Sequence, residues 1–286
     1  MQVQKYTMRS TIQYIEKELG SEYPRSEING FIRIILESVC DLSYADQVLY
    51  KDKLLDEACR KSIEKIVSRL KKHEPIQYVM GETEFYGLRL KVNPAVLIPR
   101  PETEELVNLI LAQNIKPDAR IIDVGTGSGC IALALKSVLN EAEVYGLDIS
   151  EKALGTAAEN AKFNRLDVTF LLRDILDWKC QTWPTFDVIV SNPPYVRNSE
   201  KQMMEQNVLA FEPGNALFVN DDDPLVFYQA IAELAQKYLN KSGWLFFEVN
   251  EYLGNEMVQL LKFLKFRGIE LIKDINRRDR MIVCRR

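Results

Sequence analysis

The chain has 286 residues, 47% hydrophobic and 27% charged, a balance that supports a buried core and excludes intrinsic disorder as the starting expectation. Its longest apolar stretches, such as that around Ile131 to Leu135, are broken by Lys136 and fall short of the roughly 18 residues that a membrane span requires. A net charge of −4 and a pI near 5.4 argue against tight non-specific binding to a nucleic-acid backbone, which needs clustered Lys and Arg.

Met1 to Ser10 lack the apolar run and small-residue cleavage site of a secretory signal, so a cytoplasmic protein is expected. The five cysteines, Cys40, Cys59, Cys130, Cys180 and Cys284, are scattered and form no C-x-x-C pair; reduced thiols and no metal are expected. Residues 1–73 hold 13 Lys/Arg and 11 Asp/Glu, which leaves 24 and 30 for the remainder, a division of +2 against −6. Six basic residues between Arg60 and Lys72, with Glu64 the one acid among them, read as a solvated helix face.

The first 73 residues read as a small helical bundle. Leu55, Cys59, Ile63, Ile66 and Leu70 recur at the spacing of one helical face. Glu74 and Pro75 end it, because proline lacks a backbone donor and disfavours helix in the residue before it; the first domain is therefore drawn as 1–75. From 76 to 98 the pattern shifts to Thr, Phe, Tyr and Val around Gly87, which predicts a hairpin linker. From 99 to 286, strand-like runs at Arg120–Val124, Glu143–Leu147, Val168–Leu172, Phe186–Ser191 and Gly243–Val249 alternate with helical segments, as a parallel α/β sheet demands. Gly268–Lys273 and Arg280–Cys284, separated by a turn near Asn276, close the chain as an antiparallel pair.

Ile121-Ile122-Asp123-Val124-Gly125-Thr126-Gly127-Ser128-Gly129 runs from an apolar strand into a helix, placing a glycine-rich turn where α/β sheets bind ligands. Glycine at every second position lets the backbone pass close under a bulky ligand. A dinucleotide fingerprint would delay the third glycine by one residue, and no Gly-Lys-Ser/Thr follows to make a P-loop. Asp148 ends the next strand, where an acid can accept both hydroxyls of an adenosine ribose, a feature shared by NAD and S-adenosylmethionine sites. Asp174, after the third strand, is placed to meet an adenine amino group, with the alternative of a helix N-cap. Asp123, Asp148 and Asp174, each at a strand end, strengthen the glycine signal.

Phe186–Ser191 delivers Asn192-Pro193-Pro194-Tyr195 to the same rim. Two prolines fix their dihedrals and offer carbonyls without amide hydrogens, a rigid ledge of acceptors that suits an NH2 group. A planar amide or exocyclic amino nitrogen is a poor nucleophile whose lone pair is delocalised. If the Asn192 side-chain carbonyl and the Pro193 carbonyl each accept one N–H, they hold the nitrogen in line with an activated methyl group. Tyr195 is expected to pack against the planar group. His73, the sole histidine, lies before Pro75 as a surface or capping residue, so no Ser-His or Cys-His base is evident.

These residues resemble the release factor glutamine methyltransferase family, also called PrmC or HemK, over most of the chain. Four blocks carry the resemblance: Leu97-Ile98-Pro99-Arg100-Pro101-Glu102-Thr103-Glu104, Asp123 to Gly129, Ser191 to Tyr195, and Phe211-Glu212-Pro213 with Ala216-Leu217. The first is the most specific, because the tetrapeptide also occurs in adenine-N6 methyltransferases of nucleic acid.

The resemblance implies a Rossmann-like, seven-stranded methyltransferase domain behind an N-terminal helical domain and hairpin linker. It also implies S-adenosylmethionine as cofactor, S-adenosylhomocysteine as product, and the glutamine of a Gly-Gly-Gln motif in bacterial-type peptide chain release factors as acceptor. By position, Asp123, Gly125, Thr126, Gly127, Ser128, Gly129 and Asp148 bind the cofactor, and Asp174 or Ile175 flanks its adenine. Asn192, Pro193, Pro194 and Tyr195 hold the acceptor amide, with Asn192 also beside the cofactor, while Glu102 and Thr103 help close the pocket. The helical domain helps grip the protein substrate, and a monomer with no stable nucleic-acid or membrane partner is expected. Ile175 stands where an aromatic is common, and Val219-Asn220 where glycines are usual. The competing readings are an adenine-N6 methyltransferase, which should display a basic groove or base-flipping platform, and a cofactor-binding scaffold without catalysis.

Overall fold

The computed structural model describes residues 6–286, which divide into two compact units. One runs through Met80 and includes Gln206–Phe211 (α9); the other comprises Gly81–Glu205 and Glu212–Arg286. Among the described residues no helix is long and apolar enough to cross a membrane.

The first unit is helical: α1 Met8–Leu19, α2 Arg25–Cys40, α3 Tyr44–Leu49, α4 Glu57–Leu70 and α5 Ile76–Met80. Ile15, Leu19, Phe31, Ile35, Leu36, Ile63 and Leu70 form one buried cluster at helical spacing. Side chains satisfy the free amides at the helix starts: Thr7 and Ser10 form a capping box, and Asp56 accepts from the Cys59 amide at 2.7 Å. Leu55 therefore lies just ahead of α4 rather than on its face, because Asp56 is the cap. The basic run is laced with acids, Arg60 to Glu64 at 2.9 Å, Arg69 to Glu74 at 2.5 Å and Lys71 to Glu18 at 2.8 Å, as a solvated face requires. His73 sits just past α4 with φ +59° and its Nε2 3.3 Å from Glu22.

The expected linker of 76–98 is divided between the units. Pro75 starts a new helical turn, since its carbonyl accepts from the Val79 amide at 3.0 Å, and Ile76 and Val79 join the helical core. A proline is well placed there because its missing donor would be unpaired in any first turn. The hairpin proper, β1 Glu82–Phe85 and β2 Leu88–Lys91, turns through Tyr86 and Gly87, both at positive φ. Glu104 accepts from the Tyr86 amide at 2.7 Å and Asn108 from its hydroxyl at 2.8 Å. Phe85 and Leu90 are buried in the core of the second unit, so this hairpin is part of that unit's body.

Seven strands of the second unit form a mixed sheet in the order β10-β11-β9-β6-β3-β4-β5. They are β3 Arg120–Val124, β4 Glu143–Asp148, β5 Thr169–Leu172, β6 Phe186–Ser191, β9 Leu239–Glu248, β10 Arg267–Lys273 and β11 Asp279–Arg285. The neighbours from β5 to β9 are parallel, and β11 runs antiparallel between β9 and β10. Alternate residues feed two cores, Ile122, Ile189, Leu245 and Phe247 on one face and Ile121, Val188, Val190 and Phe246 on the other. Helices α6 Pro101–Leu111, α7 Cys130–Val138 and α8 Glu151–Asn164 supply apolar residues to the second core, and α11 Val226–Tyr238 and α12 Gly254–Phe263 to the first. Short strands β7 Val196–Arg197 and β8 Phe218–Val219 pair in parallel, with α10 Gly214–Leu217 between them in sequence. Val219 is buried in β8, a place that suits its apolar side chain.

Gly146, on β4, leaves no room for a side chain: a Cβ there would lie 2.8 Å from the Phe170 ring and 2.9 Å from the Thr126 hydroxyl. Gly146→Ala should lower unfolding free energy by about 1–3 kcal/mol, the range for overpacking, read from denaturant unfolding.

Candidate cofactor and acceptor site

Pairing of the central strands builds the site. Val124 at the end of β3 is in register with Ser191 at the end of β6, and the buried Ser191 hydroxyl donates to the Val124 carbonyl at 2.6 Å. The glycine turn and the Asn192 tetrapeptide therefore leave adjacent strands on the same rim, at the point where the strand order reverses. On the other side of β3 the Leu147 carbonyl accepts from the Gly125 and Thr126 amides, each at 2.8 Å. Gly125, Gly127 and Gly129 all have positive φ, from 56° to 83°, which side-chain-bearing residues rarely adopt. Cβ atoms at Gly125 and Gly127 would project into open space, whereas one at Gly129 would press on Ala157 at 3.2 Å.

Buried polar side chains brace this turn. Thr126 donates to Asp123 at 2.6 Å, and Asn160 of α8 donates to the Ser128 carbonyl at 3.0 Å while exchanging two bonds with the Lys91 backbone. Asp123 is fully buried, and that burial pushes its carboxyl up to about 7 against the opposing Thr126 bond. Asp148 accepts from the Gly127 amide with one oxygen and from the Ser150 amide with the other, each at 2.9 Å. Burial raises its pKa, and each oxygen keeps a lone pair for a hydroxyl donor.

A cavity of about 320 Å³ opens over these loops. Of the expected site residues, Thr103, Gly125, Thr126, Gly127, Ser128, Asp148, Asp174, Ile175, Asn192, Pro193 and Pro194 line it. Asp123, Gly129, Glu102 and Tyr195 do not: Asp123 and Gly129 act from behind the turn. Asp174 is also the N-cap of a 3-10 segment, Ile175–Cys180, accepting from the Leu176 amide at 2.8 Å, so the capping alternative holds alongside its place on the wall. Ile149, Ile175 and Leu176 give the cavity an aliphatic surface beside Asp174.

On the acceptor side, the Asn192 side-chain NH2 donates to the Thr103 hydroxyl oxygen at 3.4 Å, and the Thr103 hydroxyl donates to Glu248 at 2.7 Å. Tyr195 does not lie on the cavity wall as expected. Its hydroxyl donates to the other Glu248 oxygen at 3.1 Å, and its ring packs against the sheet core, because a buried phenol needs a partner and Glu248 supplies one. Burial with the Glu248 charge beside it drives the Tyr195 pKa far upward. Arg100, on the cavity wall, and the Ile98 amide both bond the buried Glu212 carboxylate, at 2.5 and 3.3 Å, which joins the first and last family-like blocks. Asn160 and Glu248 had escaped sequence reading. Glu248 left one signal, an acid between the apolar run Trp244-Leu245-Phe246-Phe247 and Val249, since a charge in a buried strand requires partners.

The donor set fits S-adenosylmethionine. The Ser128 hydroxyl on the cavity wall is buried without a partner, the glycine turn leaves its inner face open, and an acid with unused lone pairs closes the next strand. Asp148→Ala should weaken cofactor binding by about tenfold or more, the scale of a lost charge-assisted bond, as read by calorimetry. Asp123 carries a pH signature: its folded pKa lies above the unfolded value of about 3.9, so the stability it contributes is full below that value and lost as pH rises through about 7. Melting of the cofactor-free protein should fall more between pH 5 and 8.5 for wild type than for Asp123→Asn.

Residues 115–282 match the methyltransferase domain family, and residues 11–81 match the PrmC N-terminal domain family. Release factor glutamine methyltransferase of Flavobacterium psychrophilum is 48% identical over 92% of this chain and 94% of its own length. That of Bacteroides thetaiotaomicron is 43% identical over 96% and 98%. The crystal structure of a methyltransferase from Pyrococcus furiosus shares the fold, with a TM-score of 0.52 at 20% identity over 70% of this chain and 89% of that one. The chain belongs to the release factor glutamine methyltransferase family.

Proposed function

We propose that this enzyme transfers a methyl group to the side-chain nitrogen of the glutamine in the Gly-Gly-Gln motif of peptide chain release factors. S-adenosylmethionine, the cofactor of this methyltransferase family, supplies a methyl group activated by a sulfonium centre. Gly125 to Ser128 and Asp148 bind it, with Asp174 and Ile175 toward the adenine. The observation that carries the reading is Asn192: on the cavity wall beside the glycine turn, its NH2 is engaged by Thr103, which leaves its carbonyl oxygen for an acceptor N–H.

The Asn192 and Pro193 carbonyls orient the carboxamide and favour pyramidal nitrogen, so no general base has to act on a nitrogen that resists deprotonation. One N–H proton is released as the nitrogen becomes an N-methyl amide. Pro194 stiffens the ledge, and Tyr195 anchors it from behind. The helical unit, with Tyr44, Leu49, Tyr50 and Leu54 exposed, offers apolar surface for a protein substrate. A cytoplasmic monomer without a stable nucleic-acid partner goes with this reading, and the net charge of −4 speaks against a bound phosphate backbone.

Incubation with labelled S-adenosylmethionine and either a release factor or duplex DNA should place the label on the Gly-Gly-Gln glutamine alone, as located by mass spectrometry. Label on adenine instead would overturn the reading. Asn192→Ala should lower kcat by about 10²–10³-fold, the scale of a lost transition-state contact, with cofactor affinity within about tenfold of wild type.

A further inference from the structure

With Glu248 as a carboxylate, the hydrogen bonds behind Asn192 set the polarity of its amide. Glu248 ends β9 with 2% exposure, and its two carboxylate oxygens take the Thr103 hydroxyl at 2.7 Å and the Tyr195 hydroxyl at 3.1 Å. Glu248 is not on the cavity wall; burial raises its pKa, and the Thr103 and Tyr195 hydroxyl bonds together with Arg280 of the neighbouring strand oppose that rise. Both Glu248 oxygens face hydroxyl donors, the arrangement of a carboxylate that only accepts, so the Thr103 proton points at Glu248. Thr103 then has lone pairs alone for Asn192, and Asn192 must meet it with NH2. The reversed amide would set carbonyl oxygen against hydroxyl oxygen.

We infer that Glu248 is a positioning residue which, acting through Thr103, fixes the Asn192 amide with its carbonyl oxygen toward the acceptor. The inference rests on Asn192 being the acceptor-binding group. An asparagine amide is nearly symmetric in shape, so packing alone does not choose between its two flips; a hydrogen-bond partner of fixed polarity does. Flipped, Asn192 would present a donor to the acceptor NH2 and lose the bond. Thr103 thereby has a role different from closing the pocket: it hands the polarity of a buried charge to the ledge.

The Asn192 side-chain NH2 can be followed by 1H–15N spectroscopy of the cofactor-bound enzyme, assigned through its loss in Asn192→Asp. Wild type should show one proton protected from solvent exchange, and Thr103→Val, which keeps the shape and deletes the hydroxyl, should lose that protection. The same variant should lower kcat on release factor by about 10²-fold, the cost of misorienting a reacting group, with KM and cofactor affinity changed less than about threefold. Thr103→Ser should restore both the protected proton and most of kcat. Glu248→Gln should resemble Thr103→Val; if it fails to fold, as thermal unfolding will show, the Thr103 pair decides alone. Wild-type kcat in Thr103→Val, or an unprotected Asn192 NH2 in wild type, would overturn the inference. A wild type that transfers no methyl to release factor would overturn the functional reading instead, while the exchange measurement still decides the orientation.

Discussion

The site depends on the lateral pairing of two parallel strands, β3 and β6, at their carboxyl ends. Val124 and Ser191 are adjacent in the ladder, and the Ser191 hydroxyl reinforces the join with a buried bond to the Val124 carbonyl. Everything chemical follows from that edge. The glycine turn leaves one strand and the asparagine-proline ledge leaves the other, so the two loops are neighbours. Helices leaving β3 and β4 then brace the turn from outside, with Asn160 holding the Ser128 and Lys91 backbones together.

A second constraint is polarity in places that exclude water. Asp123, Glu212 and Glu248 are acids with at most 7% exposure, and each is tied to a backbone or side chain that shapes the cavity. A buried carboxylate is costly unless its oxygens are bonded, and that cost makes each one a rigid reference point. Asp123 holds the turn through Thr126, Glu212 holds Arg100 and the Ile98 backbone, and Glu248 holds Thr103 and Tyr195. The apolar cores on both faces of the sheet supply the low-dielectric setting in which these bonds hold direction.

Much of the architecture was legible in residue order, for stated physical reasons. Strand alternation is local, so the expected runs from Arg120 to Cys284 lie within the observed sheet strands with shifts of a few residues at the ends, and β9 begins four residues earlier than its expected start at Gly243. The boundary near 75 was less legible, because Pro75 can end a helix or begin one, and only the burial of Ile76 and Val79 in the helical core decides for the second. The hairpin looked like a linker because Phe85 and Leu90 show their partners only after folding.

By itself the sequence determined the glycine turn, the acids at strand ends, the proline ledge and the alternation of strand with helix, since each is a property of neighbouring residues and backbone sterics. The tertiary structure decided which way polar side chains face. Tyr195 turns inward to Glu248 rather than over the acceptor, Asp174 caps a helical turn while lining the cavity, and Thr103 meets a carboxylate 145 positions away. Those choices depend on which donors and acceptors the sheet brings together in the absence of water, and residue order carries no record of that until the strands pair.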